Sequence, residues 1–299
     1  EVARSGAELT ERSGQESTVF EAGDVRVVIS RAKRDSSKAG RYLKRHPAGV
    51  MSVAFRVRDI EHAMRLLEER GATFLSELLV DERDGGRYRS VEIATPLGDL
   101  NYRLVERTGA YEPFAPGFDA LEHDKGPNEF GISVIDHLTS NMRTMAPLLL
   151  WLEHVLGFER YWEVKFHTDD VAAVLGKGSG LKSVVMWDPE SGIKFANNEP
   201  LRPYFNDSQI ARFVDDNAGA GVQHAALLVP ALVPVVERLR ARGVKFLSTP
   251  GSYYDALPER LRSAKVSTLK EPVDVLRRHE ILVDGRDDKY LLQIFLQEA

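Results

Sequence analysis

Cysteine is absent from all 299 residues. That absence removes disulfides, thiolate metal ligands and cysteine nucleophiles together, so any bound metal must be held by His, Asp or Glu. There is no run of roughly 18 apolar residues, so no membrane-spanning helix is expected. No signal peptide is visible, and the expected compartment is the cytoplasm. Basic charge is not in excess: 40 Lys and Arg stand against 45 Asp and Glu, for a net charge of −5. A nucleic-acid partner is therefore not expected. What is present, 43% hydrophobic and 28% charged residues, is the balance of a folded globular chain. The length suits one large domain or two ordinary ones.

The sequence repeats itself. Gly49 to Ser76, "GVMSVAFRVRDIEHAMRLLEERGATFLS", aligns without a gap on Gly221 to Ser248, "GVQHAALLVPALVPVVERLRARGVKFLS". Gly49/Gly221, Ala54/Ala226, Arg70/Arg242, Gly71/Gly243 and Phe74/Phe246 are among the identical pairs. Each copy reads strand, helix, glycine stop, strand. In the first copy Ile60, Ala63, Met64 and Leu67 fall on one helical face. Asp59 is placed to cap that helix and Gly71 to end it.

Further units surround the repeat. Hairpins are predicted over Ser17–Arg31, over Arg89–Arg107 with a turn at Pro96–Gly98, over Ser183–Pro200 with a turn at Asp188–Gly192, and over His279–Gln297 with a turn at Asp284–Asp288. Val134 to Val164 reads as another strand, helix and strand. Four strand-helix-strands units account for nearly the whole chain. The first lacks its opening strand and helix, and the last stops one strand early, so the chain is expected to be trimmed at both ends. Thr108–Glu129, rich in Pro, Gly and acidic residues, is the expected linker.

Two histidines stand out. His224 interrupts "GVQHAALLV", which reads as a buried strand, where an unpartnered imidazole would be costly. Its counterpart in the first copy is Ser52, so the scaffold does not require histidine there. His137, in "VIDHLTSN", opens the preceding unit at the equivalent place. Two such imidazoles can converge on one metal, and imidazole suits Fe, Zn, Cu or Ni; a packing role for each remains the alternative. The others read differently. His46 and His123 fall in polar loops, His62 and His154 on helices with charged or mixed surroundings, and His279 beside Arg277 and Arg278 at a solvent-facing strand start. His167, followed by Asp169 and Asp170, reads as a solvated turn.

The segments "IDHLTSN", "FHTDD", "KFANNEP", "GVQHAAL", "GVKFLSTPGSYYDALPERL" and "ILVDGRDDKYLLQIF" resemble, in order and spacing, the 4-hydroxyphenylpyruvate dioxygenase family. In the first half "FEAGDVRVVIS", "GVMSVAFRVRDIEHA" and "YEPFAPGF" do so too. The resemblance implies an α+β, vicinal oxygen chelate fold of βαβββ modules in two open-barrel domains. It divides the chain into a non-catalytic domain over 1–107, a linker over 108–129 and a catalytic domain over 130–299.

By the same resemblance His137 and His224 match two Fe(II) ligands. The third family ligand, a glutamate on the last strand, has no counterpart here, and Glu298 is not its equivalent. Ser183, Asn198, Gln209, Gln293 and Phe295 match the pocket that holds the phenol ring. A proline and an apolar residue usually precede the family's Asn-Glu-Pro; here Ala196 and Asn197 do. The implied reaction converts 4-hydroxyphenylpyruvate and O₂ to homogentisate and CO₂ in tyrosine catabolism, in a homo-oligomer. Two rivals stay open: a hydroxymandelate synthase-like enzyme acting on the same substrate, and a non-catalytic small-molecule-binding relative lacking the third ligand.

Overall fold

The computed structural model describes residues 1–122, 126–167, 180–201 and 208–297, without the side chains of Phe166 and His167. Two compact units emerge. One takes in Glu1–Asn128, Ser133–His167 and the strands that run to Leu227; the other takes in Glu129–Ile132 and the chain from Leu228 onward.

The first unit opens with β1 (Ala3–Ser5) and α1 (Ala7–Ser13), then the hairpin β2 (Gln15–Ala22) and β3 (Val25–Ala32), then α2 (Lys38–Leu43). The expectation that no strand and helix precede this hairpin is thus corrected. Gly14, left-handed at φ 65°, closes α1 within one residue of β2, a conformation glycine reaches without steric cost. The next module runs β4 (Ser52–Arg56), α3 (Ile60–Glu69), β5 (Leu79–Arg83), β6 (Gly86–Ala94) and β7 (Asn101–Thr108). Asp59 accepts from the His62 N–H at 2.9 Å and caps α3, and Gly71 at φ 81° follows its end. β4 lies parallel to β7, in the order β4-β7-β6-β5.

The expected linker is partly structured. Its β8 (Phe118–Ala120) pairs with β1, and Tyr111 and Ala115 are buried against Tyr88. These apolar side chains gave the segment something to pack, which its Pro and Gly content concealed.

β9 (Ile135–Asn141), α4 (Ala146–Trp151), a π-helical turn (Leu152–Leu156), β10 (Glu159–His167), β11 (Gly180–Trp187) and β12 (Lys194–Pro200) repeat the same module. Here too the first strand is parallel to the last. Then α5 (Gln209–Asp216) leads to β13 (Gly221–Leu227), which pairs antiparallel with β9 to give the order β10-β11-β12-β9-β13. Both sheets turn one face onto a shared core. Tyr102 of β7 stacks on Phe195 of β12 at 5.8 Å, with Phe55 of β4 edge-on to both. That shared core joins the sheets on either side of residues 108–129 in one compact unit.

The second unit holds α6 (Leu232–Ala241), α7 (Gly251–Ser263), α8 (Val273–Arg278) and the hairpin β14 (Leu282–Arg286) and β15 (Lys289–Gln293). Its core joins Val236, Tyr254, Leu257, Leu276, Ile281 and Val283. The last turn is tighter than expected: Asp287 and Asp288 alone make it, both left-handed, as a two-residue hairpin requires. The internal repeat survives in three dimensions. Gly243 matches Gly71 in its positive φ, and Phe246, like Phe74, makes an isolated antiparallel bridge to a later residue, Leu296 as against Ile93. The expected strand start at His279 is instead the end of α8. His279 is only 13% exposed and meets Glu237 at 3.1 Å, because the preceding helix turns the ring inward. Among the described residues no helix is long and apolar enough to cross a membrane.

Candidate metal centre

Strand alternation assigns every residue of the five-stranded sheet to a face. Leu138, Phe195, Val184 and Met186 point into the core. His137, Thr139 and Asn141 of β9 therefore point the other way. So do Asn198, which pairs with Asn141, and Ser183, which pairs with Asn198.

His224 reaches this face through an irregularity. Val222 pairs with Ser140, but His224 pairs with Thr139, so Gln223 is an extra residue. In an unbroken ladder His224 would stand opposite Leu138, on the core side. The bulge moves it to the side of His137, which is what bulges do at functional sites. The two rings lie 5.7 Å apart between centroids, inclined at 75°. The expectation that β13 is a buried strand is corrected: it is the sheet edge, with Gln223, Ala225 and Leu227 exposed and His224 half-buried.

A second irregularity flanks His137. Ala226 pairs with His137 and Leu227 with Ile135, which leaves Asp136 as the extra residue of β9. Asp136 and His137, neighbours in the chain, thereby come within reach of each other. His137 Nδ1 donates to Asp136 Oδ2 at 2.8 Å, and Lys194 Nζ donates to Asp136 Oδ1 at 2.8 Å. His224 Nδ1 likewise meets Gln223 Oε1. Each ring thus has Nδ1 engaged by the side chain before it, as in metal-bound imidazoles that coordinate through Nε2.

The electrostatics keep His224 neutral. Burial and the nearby His137 ring push the His224 pKa down to about 4. The hydrogen bond from His137, with the salt bridge from Lys194, holds the Asp136 carboxyl down at about 2. His224 is therefore a neutral lone-pair donor at ordinary pH, the form a metal needs. The donor set fits two imidazole ligands of a transition metal. Among the described residues no group of three His, Cys, Asp or Glu converges that could hold a metal ion, so these residues supply two ligands.

The other expected site residues divide. Ser183 and Asn198 are buried beside one another, and Asn198 Nδ2 donates to Asn141 Oδ1 at 3.0 Å. Gln209 is exposed on the first turn of α5, behind its Ser208 cap. Gln293 ends β15 and Phe295 follows it, both half-buried in the second unit. The rest of the Asn-Glu-Pro segment is structural: Glu199 accepts from the Met145 N–H at 2.9 Å and anchors the start of α4.

His46, expected in a polar loop, is instead buried. Its Nδ1 lies 2.6 Å from the Asn217 carbonyl oxygen and its Nε2 2.9 Å from Asp99 Oδ2. Its partners lie far away in sequence, which is why the local pattern misled. His62 and His154 fall on helices, as expected, and both are exposed. His123, Asp169, Asp170 and Glu298 lie outside the described residues. Sequence reasoning missed Asp136, Lys194, Asn141 and Gln223 as parts of the site. The Asp-His and Gln-His dipeptides were the available signal.

Residues 134–259 match the Glyoxalase/Bleomycin resistance protein/Dioxygenase superfamily. The fold is that of the vicinal oxygen chelate proteins. Within it, the 4-hydroxyphenylpyruvate dioxygenase of Dictyostelium discoideum is 33% identical over 98% of this chain and 80% of its own length. That of Danio rerio is 36% identical over 87% of this chain, and that of Caenorhabditis briggsae is likewise 36% identical over 87%. The chain spans 65–66% of the length of these last two. A solved triple mutant of 4-hydroxymandelate synthase from Streptomyces coelicolor superposes over 99% of this chain and 80% of its own, with a TM-score of 0.79 and 25% identity. The chain belongs to the 4-hydroxyphenylpyruvate dioxygenase family of enzymes.

Proposed function

We propose that this chain is the Fe(II)-dependent dioxygenase that converts 4-hydroxyphenylpyruvate and O₂ to homogentisate and CO₂ in tyrosine catabolism. The supporting observation is the His137–His224 pair, on the same sheet face as Ser183 and Asn198, in a chain of this family. His137 and His224 would hold the iron through Nε2. Bound Fe(II) supplies the redox chemistry and a Lewis acid for the 2-oxo acid. Ser183 and Asn198 orient the phenol end, because a hydroxyl and an amide can donate and accept without displacing imidazole from the metal. Asn141 fixes the Asn198 amide in turn. Gln209, Gln293 and Phe295 are the proposed remainder of the substrate pocket, with Phe295 as its aromatic wall. The same reading makes the protein a cytoplasmic homo-oligomer.

The test measures Fe(II) binding first, then O₂ uptake and products with 4-hydroxyphenylpyruvate. Homogentisate in step with O₂ uptake supports the reading. 4-Hydroxymandelate would transfer the chain to the synthase chemistry, which the Streptomyces coelicolor neighbour favours. Substrate binding with no O₂ uptake, iron being bound, would make it a non-catalytic relative. Light scattering of the purified protein tests the oligomer.

A further inference from the structure

The paired irregularities of β9 and β13 do more than turn two histidines to one side. On β9 the extra residue is a carboxylate, and its two oxygens are divided: Oδ2 takes the His137 Nδ1–H and Oδ1 takes the Lys194 ammonium, each at 2.8 Å. Without the irregularity Asp136 and His137 would point to opposite faces of the sheet, and this hydrogen bond could not form. Lys194 opens β12, one residue before Phe195, whose ladder partner is Leu138. It therefore stands alongside His137 on the same face. His137 is 17% exposed, Asp136 25% and Lys194 30%, so all three are held by neighbours rather than waving in solvent.

We propose that Asp136 is a positioning residue for His137, and that Lys194 holds Asp136 in that role. The carboxylate fixes the Nδ1–H tautomer and the ring's rotation, so that Nε2 carries the lone pair toward the metal. Lys194 does two things. It locks the second carboxylate oxygen, so that Asp136 cannot rotate away from the ring. It also keeps that oxygen occupied, so that Asp136 does not itself become a ligand and displace substrate oxygens. Asp136 in return neutralises an ammonium that would otherwise repel a cation bound at His137. The proposal rests on the metal reading of His137, but its first readout needs no metal.

That readout is the tautomer of His137 in the metal-free protein, from long-range ¹H–¹⁵N correlation of the imidazoles, assigned by loss of the signal in His137→Gln. The Nδ1–H form is expected in the wild type. Asp136→Ala should shift the ring to the Nε2–H form or to a mixture. Asp136→Asn, of the same size, serves where the alanine variant does not fold, and should also loosen the tautomer. The second readout is Co(II) affinity by visible absorption. It should fall about 10- to 100-fold in Asp136→Ala, in the range found for outer-sphere partners of metal-bound histidines. Lys194→Met should lower it by a smaller factor, and Lys194→Arg should restore it. Wild-type tautomer and wild-type Co(II) affinity in both Asp136 variants would overturn the proposal. A wild-type protein that binds no Co(II) would sink the metal reading instead, while the tautomer result would still decide the role of Asp136.

Discussion

The two sheets that share the Tyr102–Phe195 core each present an opposite, polar face, and the two faces solve the same problem differently. On the β4–β7 sheet that face carries Ser52, Asn101, Arg103 and Glu92. Glu92 accepts from Lys38 at 2.7 Å and from Asn101 at 3.0 Å, and pairs with Arg103 as well. Burial opposes the Glu92 charge, yet Lys38 and Arg103 hold its carboxyl below the usual range. The Glu92 carboxylate is thus fully engaged, although Asn101 Oδ1 is buried without a partner among the described residues. On the β9–β13 sheet the carboxylate beside the histidines, Asp136, is already shared between Lys194 and His137. Beside it stand the rings of His137 and His224, 5.7 Å apart. Ser52 stands where His224 stands in the repeat. One face thus engages its carboxylate with its own cations, and on the other the proposed function has two imidazoles take a cation from outside.

The largest expected effect breaks that comparison at its centre. His224→Ala should weaken Fe(II) or Co(II) binding by more than about 100-fold, since it removes a ligand rather than a supporting contact. The reciprocal change, Ser52→His, should create no metal site, because it adds a single imidazole beside Asn101 and the Lys38–Glu92–Arg103 ion cluster. Equilibrium metal titration of both variants checks this. Unchanged affinity in His224→Ala would mean that the histidines are not ligands.

Next in size is the closed face. Glu92→Gln leaves two cations without their shared anion. Breaking a fully buried pair costs more, but Lys38 and Arg103 are 34% and 37% exposed, so the expected loss is about 2 kcal/mol in chemical unfolding. Metal binding should not change. A metal defect in Glu92→Gln would show that the two faces are coupled.

The pH dependence separates the faces again. His224 has a folded pKa near 4, below its ordinary value near 6.5. The unfolded chain therefore takes up a proton first as pH falls. The metal-free protein should lose on the order of 2 kcal/mol of stability between about pH 6.5 and pH 4 from this group, with no further loss below. His224→Leu should flatten that part of the curve. An unaltered slope would place the acid sensitivity elsewhere.

Much of this was legible in the sequence, for stated reasons. The capped helix at Asp59–Gly71 and the strand pairs around it follow from periodicity and from two special residues, all local signals. The two histidines followed from their matching places in repeated units. What was not legible depended on register. Nothing in "IDHL" or "VQHA" announces an extra residue, and without those two irregularities Asp136 and Gln223 have no reason to touch the rings behind them. His46 failed for a related reason: Asp99 and Asn217 reach it from distant segments. Nor can a Pro- and Gly-rich composition at 108–129 reveal that Phe55, Tyr102 and Phe195 close a single core on both sides of it.

The smallest expected effect concerns Asn197, the place where the chain departs from the family's apolar residue before Asn-Glu-Pro. Asn197 sits on the core face of β12, 1% exposed, beside Val184 of β11. Its Nδ2 donates to the Val184 carbonyl at 3.1 Å and to the Phe195 carbonyl at 3.0 Å, while Oδ1 has no partner among the described residues. A buried acceptor left unpaired costs about as much as one or two ordinary hydrogen bonds return. Asn197→Val removes the orphan oxygen, adds a side chain suited to a buried strand, and leaves two carbonyls that already belong to the sheet. The expected outcome is a gain of about 1 kcal/mol and a melting temperature raised by some 2–3 °C, with metal affinity unchanged because the side chain points away from His137 and His224. A loss of stability instead would mean that the two amide bonds outweigh the orphan oxygen. The polar residue would then be a working part of the floor beneath the site rather than a tolerated defect.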